Sequence, residues 1–134
     1  MFSAMLLTIS VVALGQFALY YWRAVLAGVA AQPVSGRVLE AARVNNGELS
    51  GEDFQLLAQL HELTPDLRPS PDGLGFVRLY YRIVEAIGKL AGKRLPSISQ
   101  WADRESKVCA RYAAVQIDRR MQANLALAAA IRSC

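Results

Sequence analysis

No charged side chain precedes Arg23 in this chain; everything from Met1 to Trp22 is uncharged and mostly apolar. At ~1.5 Å of rise per residue, a helix from Phe2 to Trp22 reaches roughly 31 Å, about the thickness of a bilayer's hydrocarbon core. The run ends Tyr20-Tyr21-Trp22-Arg23, an aromatic cluster followed by a cation. Amphipathic rings and a snorkelling cation are what a spanning helix places among the headgroups, so these four residues are the expected membrane interface. Residues 1–31 therefore read as a transmembrane anchor helix with its juxtamembrane continuation.

A signal peptide competes for the same residues, because Val29-Ala30-Ala31 before Gln32-Pro33 offers the small side chains a signal peptidase selects. Met1-Phe2-Ser3-Ala4 supplies no basic n-region, however, and the apolar run exceeds the usual core of about 7–15 residues. Arg23 and three bulky aromatics also stand on the approach to the cleavage site. The expectation is an uncleaved, single-pass anchor. Arg23, Arg37 and Arg43 follow the span and no basic side chain precedes it. Cationic residues accumulate on the cytoplasmic side, which predicts the N-terminus outside and the C-terminal domain in the cytoplasm.

Cysteine usage agrees with a reducing compartment. Cys109 and Cys134 occur with no CxxC or CxxCH spacing, and Cys109 reads as a small buried hydrophobe. Cys134 lacks the three following residues that a prenylation box requires.

About 100 residues follow the anchor, enough for one core but not two. Their charge is uneven. Arg23 to Asp66 holds three basic and six acidic residues, a net of −3, whereas Leu67 to Cys134 holds twelve basic and five acidic, a net of +7. A cationic half of this kind suits anionic lipid, RNA or an acidic partner, and equally a solvated helix surface.

Residues 34–134 read as one helical domain. Pro33 ends the first helix, since it has no N–H to continue the ladder. Ser35 is placed to cap a short helix from Gly36 to Val44, with Val38, Ala41 and Ala42 on its apolar side, and Asn45-Asn46-Gly47 breaks it. Ser50-Gly-Glu-Asp53 is a capping-box variant that opens a helix to Leu63, with Phe54, Leu56, Leu57, Leu60 and Leu63 as its apolar face. A proline-rich linker, 64–75, carries Pro65, Pro69 and Pro71 and separates two helical halves. Beyond it, Phe76, Tyr80, Ile83, Ile87 and Leu90 recur at helical steps and are the predicted core stripe. Arg78, Arg82, Glu85 and Lys89 keep the same steps on another side, so this helix is no second span. Gly92 to Pro96 closes it, and a last helix begins at Ser97 or Ser99 and runs to Arg132. Its expected stripes are Trp101, Val108, Tyr112 and Val115, then Ile117, Met121, Leu125 and Ala128. No alternating strand pattern appears. The fold class predicted is all-α: one N-terminal transmembrane helix followed by a small cytoplasmic helical bundle of three to four helices.

Chemistry-bearing motifs are scarce. His61 is the sole histidine, flanked on its helical face by Leu57 and Ala58, which suits a structural residue. Asn46 to Leu57 mimics a calcium loop until its twelfth position, where a bidentate Glu is required and Leu57 stands. Gly73-Leu-Gly75 lacks the strand and third glycine of a dinucleotide fingerprint. No catalytic residue, cofactor or metal is expected, and the chain reads as a non-enzyme.

Two patches remain. Arg78, Arg82, Lys89, Lys93 and Arg94 form a basic strip, the candidate contact for anionic phospholipid; with only Tyr81 left to stack a base, nucleic acid is disfavoured. Within the anchor, Ala4, Thr8, Val11, Gly15 and Ala18 share one face, a small-residue seam that lets another helix approach closely. The partners expected are the membrane and another transmembrane protein or a second copy. The resulting expectation is a membrane-anchored, non-catalytic accessory or scaffold subunit of a larger membrane assembly. The alternative is a tethered module whose basic half binds anionic lipid or RNA.

Overall fold

A computed structural model describes residues 1–41, 49–67, 73–91 and 94–134, the side chains of residues 39 and 41 apart. Five helices occur and no strand is found among the described residues: α1 (Phe2–Ala30), α2 (Gly36–Ala41), α3 (Asp53–Leu63), α4 (Leu74–Ala91) and α5 (Pro96–Arg132).

α5 is the spine, and α1, α2, α3 and α4 all pack against it. Its middle suits that role because Ala110, Ala113 and Ala114 are fully buried, presenting a low surface that lets neighbouring helices approach closely. Leu26 from α1, Val38 from α2, Phe54 and Leu57 from α3, and Leu74, Val77 and Tyr81 from α4 converge on it. Burial of side chains such as Leu57 and Val77 contributes about 1.5–3 kcal/mol each. The Phe54 and Tyr81 rings stack with centroids 4.3 Å apart, joining α3 to α4.

Local chemistry explains the ends. α1 stops at Ala30 ahead of Pro33, and the Gln32 N–H folds back to the Val29 carbonyl at 3.1 Å. Before α3, the Glu52 N–H donates to Ser50 Oγ at 3.1 Å, while the Ser50 N–H donates to Asp53 Oδ2 at 2.8 Å. The C-terminus of α3 is closed from α5. Arg120 donates to the carbonyls of His61 and Thr64 at 2.9 and 3.1 Å and to Asp66 Oδ2 at 3.0 Å. A cation on the last carbonyls of a helix also complements its dipole. The predicted continuation of α2 to Val44, the Asn45-Asn46-Gly47 break, and Pro69 and Pro71 of the linker lie outside the described residues.

The faces of the helices differ from the sequence reading in three places. In α3, Leu56 and Leu63 are exposed, and the buried face is Phe54, Leu57, Ala58 and His61. In α5, Leu125 is exposed and Trp101 and Val108 are half-buried, while Cys109, Tyr112, Val115 and Ile117 are buried. The largest correction concerns α4. Its buried stripe is Leu74, Val77, Tyr81 and Val84, whereas Phe76, Ile83 and Leu90 are 72%, 49% and 82% exposed. Two contacts with α5 and the turn before α3 set this rotation. A Cβ on Gly88 would stand 3.1 Å from the Ala102 methyl, so glycine gives this contact its closeness. Two turns earlier, the Tyr81 hydroxyl donates to the Gly51 carbonyl at 2.9 Å.

Candidate functional site

The residues with the most to do chemically meet where α1 enters the helical domain. Up to Tyr21 every α1 side chain is exposed, and from Trp22 onward the helix is progressively tied in, Leu26 and Ala30 being buried. Trp22 meets Phe76 edge-on, with centroids 6.1 Å apart and planes at 66°. Its indole also passes Gly73, where a Cβ would stand 3.6 Å from the Trp22 ring and 3.4 Å from the Tyr112 hydroxyl.

One residue on, the Arg23 guanidinium forms an ion pair with Glu105 Oε1. Tyr80 completes the group, donating its hydroxyl to Glu105 Oε2 at 2.9 Å. The Glu105 side chain is only 8% exposed and Arg23 51%, so the pair has one foot in the core and one in solvent. Burial, and then the hydrogen bond to Glu105, push the Tyr80 phenol above its usual range. The hydroxyl therefore stays protonated and keeps donating at any physiological pH. One turn further, burial and the Glu105 charge push the Cys109 thiol up to about 12, so it is a neutral, inert packing group. This constellation holds a helix in place; it contains no nucleophile paired with a base.

The remaining sequence-derived residues are dispersed. Tyr20 and Tyr21 are exposed on α1 just before the junction. Ala4, Thr8, Val11, Gly15 and Ala18 are likewise exposed, with the Thr8 hydroxyl donating to the Ala4 carbonyl at 2.8 Å. The basic strip is divided among different tasks. Arg78 is drawn onto α3, donating to Glu62 Oε1 at 2.5 Å and to the Ala58 carbonyl at 2.9 Å. Lys89 pairs with Glu85 at 2.7 Å along the same helix. Arg82 and Arg94 are exposed, and Lys93 lies outside the described residues.

Between α3 and α4 lies an open cleft of about 310 Å³, lined by Phe54, Gln55, Gln59, Glu62, Arg78 and Arg82 among others. That volume is at the lower limit for small-molecule sites. Its two arginines could meet an anion, but Glu62 already occupies Arg78. Among the described residues, no three His, Cys, Asp or Glu side chains gather as a metal site would require.

Glu105 and Arg120 carry long-range bonds that sequence reasoning did not find. For Glu105 a signal existed: an acid at helical spacing between Ala102, Cys109 and Tyr112, all of them buried. Arg120 had none, because its partners, the His61 and Thr64 carbonyls and the Asp66 carboxylate, lie more than fifty residues away. Comparison with known proteins adds no identity to this geometry: no protein-family model, curated protein or solved structure matches the chain.

Proposed function

We propose that this chain is a single-pass membrane protein, N-terminus outside, whose cytoplasmic helical bundle serves a larger membrane assembly as a non-catalytic accessory or scaffold subunit. The observation that carries the reading is α1, 29 residues long and apolar enough to cross a membrane, with none of its spanning window buried by the rest of the chain. A soluble protein would bury such a helix, because leaving a mostly apolar helix of this length in water forfeits the hydrophobic gain of folding. Arg23, Arg37 and Arg43 on its C-terminal side support the orientation. The Arg23–Glu105–Tyr80 group supports a rigid attachment, through which a force or a position at the anchor reaches α4 and α5.

Two experiments test it. A reporter fused to Cys134 should be active in the cytoplasm and silent where only exported reporters work; the opposite result, or a mature N-terminus at Gln32, removes the topology. Gly15→Leu should separate any helix packed on the Ala4, Thr8, Val11 and Ala18 face, changing the crosslinked species recovered from native membranes. Leu19→Ile is the silent control. If Gly15→Leu leaves every crosslinked species unchanged, α1 is a plain tether and the scaffold role loses its support.

A further inference from the structure

α4 carries apolar side chains around more of its circumference than the helices it packs on can cover. At 100° per residue, Val77, Tyr81, Val84 and Gly88 fall in one sector and Phe76, Leu79, Ile83, Ile87 and Leu90 in another, with Arg82, Glu85 and Lys89 in a third. The first sector is packed; the second is exposed along the whole helix. Contiguous apolar surface of this length on a described helix calls for an occupant.

Its position says which. Arg23 meets Glu105 and Gln32 meets Arg119, so α1 and α5 run in the same sense. Tyr80 meets Glu105 and Gly88 approaches Ala102, so α4 runs in the opposite sense. From its contact with Trp22 at Phe76, α4 therefore heads back toward the side from which α1 arrives. It does not lie along α1, since Phe17, Tyr20 and Tyr21 are exposed. The exposed stripe thus begins at the proposed interface and belongs to a helix that leaves the preceding turns of the anchor uncovered. At its far end stand Leu90 and Leu95, both exposed, with Lys89 and Arg94 beside them.

We infer that α4 is an interfacial helix whose outer face, Phe76, Leu79, Ile83, Ile87 and Leu90, lies in the lipid leaflet from which α1 emerges, with Arg82, Lys89 and Arg94 at anionic headgroups. The occupant is a phospholipid surface, chosen by continuity with the Trp22 junction and by the cations flanking the stripe. This rests on the proposed span. It converts the anchor from a single tether into a two-point attachment that fixes the tilt of the whole domain.

The test uses the full chain in phosphatidylcholine–phosphatidylglycerol vesicles, with a nitroxide on one introduced cysteine at a time in a Cys134→Ser background, the buried Cys109 staying unlabelled. Labels at Ile83→Cys and Leu90→Cys should collide more with dissolved oxygen than with a water-soluble nickel chelate. Leu56→Cys, an exposed apolar position on α3, should show the reverse. Leu7→Cys reports the span independently. Oxygen-dominated Leu7 with chelate-dominated Ile83 and Leu90 would overturn the inference and leave the anchor standing. Shielding of Ile83 and Leu90 from both reagents would overturn it in favour of a protein occupant, a second copy included. A chelate-dominated Leu7 would remove the span and this inference with it.

Discussion

Val77 and Ile83 are two turns apart on one helix, both β-branched and apolar, yet Val77 is fully buried and Ile83 is half in solvent. The inner face of α4 packs into one buried cluster with Ala110, Ala113 and Ala114 of α5, whereas its outer face meets Trp22 at Phe76 and is otherwise largely exposed. Hydrophobicity is therefore not what distinguishes them. The inner face is chosen by geometry that admits close approach, Gly88 on Ala102, and by one directional bond, Tyr81 to Gly51. Apolar residues beyond that choice become surface for something else.

The largest effect is expected from breaking the inner face. Val77→Asp places a carboxylate at a fully buried position in an apolar cluster, costing about 4 kcal/mol or more. That is a large fraction of the stability of a domain this size. Loss of a cooperative thermal transition in detergent, or aggregation on expression, is the expected result. A near-normal melting temperature would show that the two faces are assigned the wrong way round.

Next comes the joint between the regions. Arg23→Ala leaves the Glu105 carboxylate, nearly buried, with the Tyr80 hydroxyl as its partner among the described residues. An under-compensated buried charge of this kind costs about 2–3 kcal/mol, discounted from a fully buried pair because Arg23 is half exposed. Glu105→Gln added to Arg23→Ala should recover part of the loss, since the amide no longer needs a counter-charge. If the single variant melts like the parent protein, the ion pair is no more than surface decoration.

A chemical comparison sharpens the same contrast between inside and outside. Cys134 is exposed, while Cys109 is buried beside Glu105 with its thiol pushed up to about 12. A maleimide at pH 8 should label Cys134 alone, and Cys109 only after denaturation. The linked stability has a definite sign. Below the ordinary thiol value of 9.0 the folded and unfolded states are both protonated at Cys109, and the contribution is whole. As pH rises from there toward about 12, the unfolded chain sheds the proton and the folded one keeps it, so stability falls. The raised Tyr80 phenol acts in the same direction. Rapid labelling of both thiols in the folded protein would contradict the burial on which this rests.

Much of the helical order was readable because its determinants are local. Pro33 predicts the end of α1, Ser50 and Asp53 predict the start of α3, and Pro96 stands at the start of α5, each acting within a turn of itself. The facing of α4 was not readable in the same way. Its apolar side chains fill two sectors, and the steps of three and four fit Phe76, Tyr80, Ile83, Ile87 and Leu90 as well as Leu74, Val77, Tyr81 and Val84. Only contacts with other elements, Gly51 at Tyr81 and Ala102 at Gly88, separate them. The junction divides likewise: Trp22 and Arg23 announce themselves by type and place, but that Arg23 meets Glu105, 82 positions on, follows from packing alone.

Ile83→Asp completes the comparison with the smallest expected change. Side-chain area at Ile83 is about half lost already, and the carboxylate can turn outward, away from the Val77–Val84 stripe. The substitution gives up partial burial and slightly poorer helix propensity, about 1 kcal/mol or less together. In detergent the melting temperature should therefore move little, while Val77→Asp, two turns away, abolishes the transition. The vesicle-bound protein should behave differently. There the new charge must be withdrawn from lipid, so a nitroxide at Leu90 in the Ile83→Asp protein should gain contact with the aqueous chelate. Equal destabilisation by the two aspartates would erase the distinction between the faces. A silent Ile83→Asp in detergent whose Leu90 label is also unmoved in vesicles would keep the fold as described and detach α4 from the membrane.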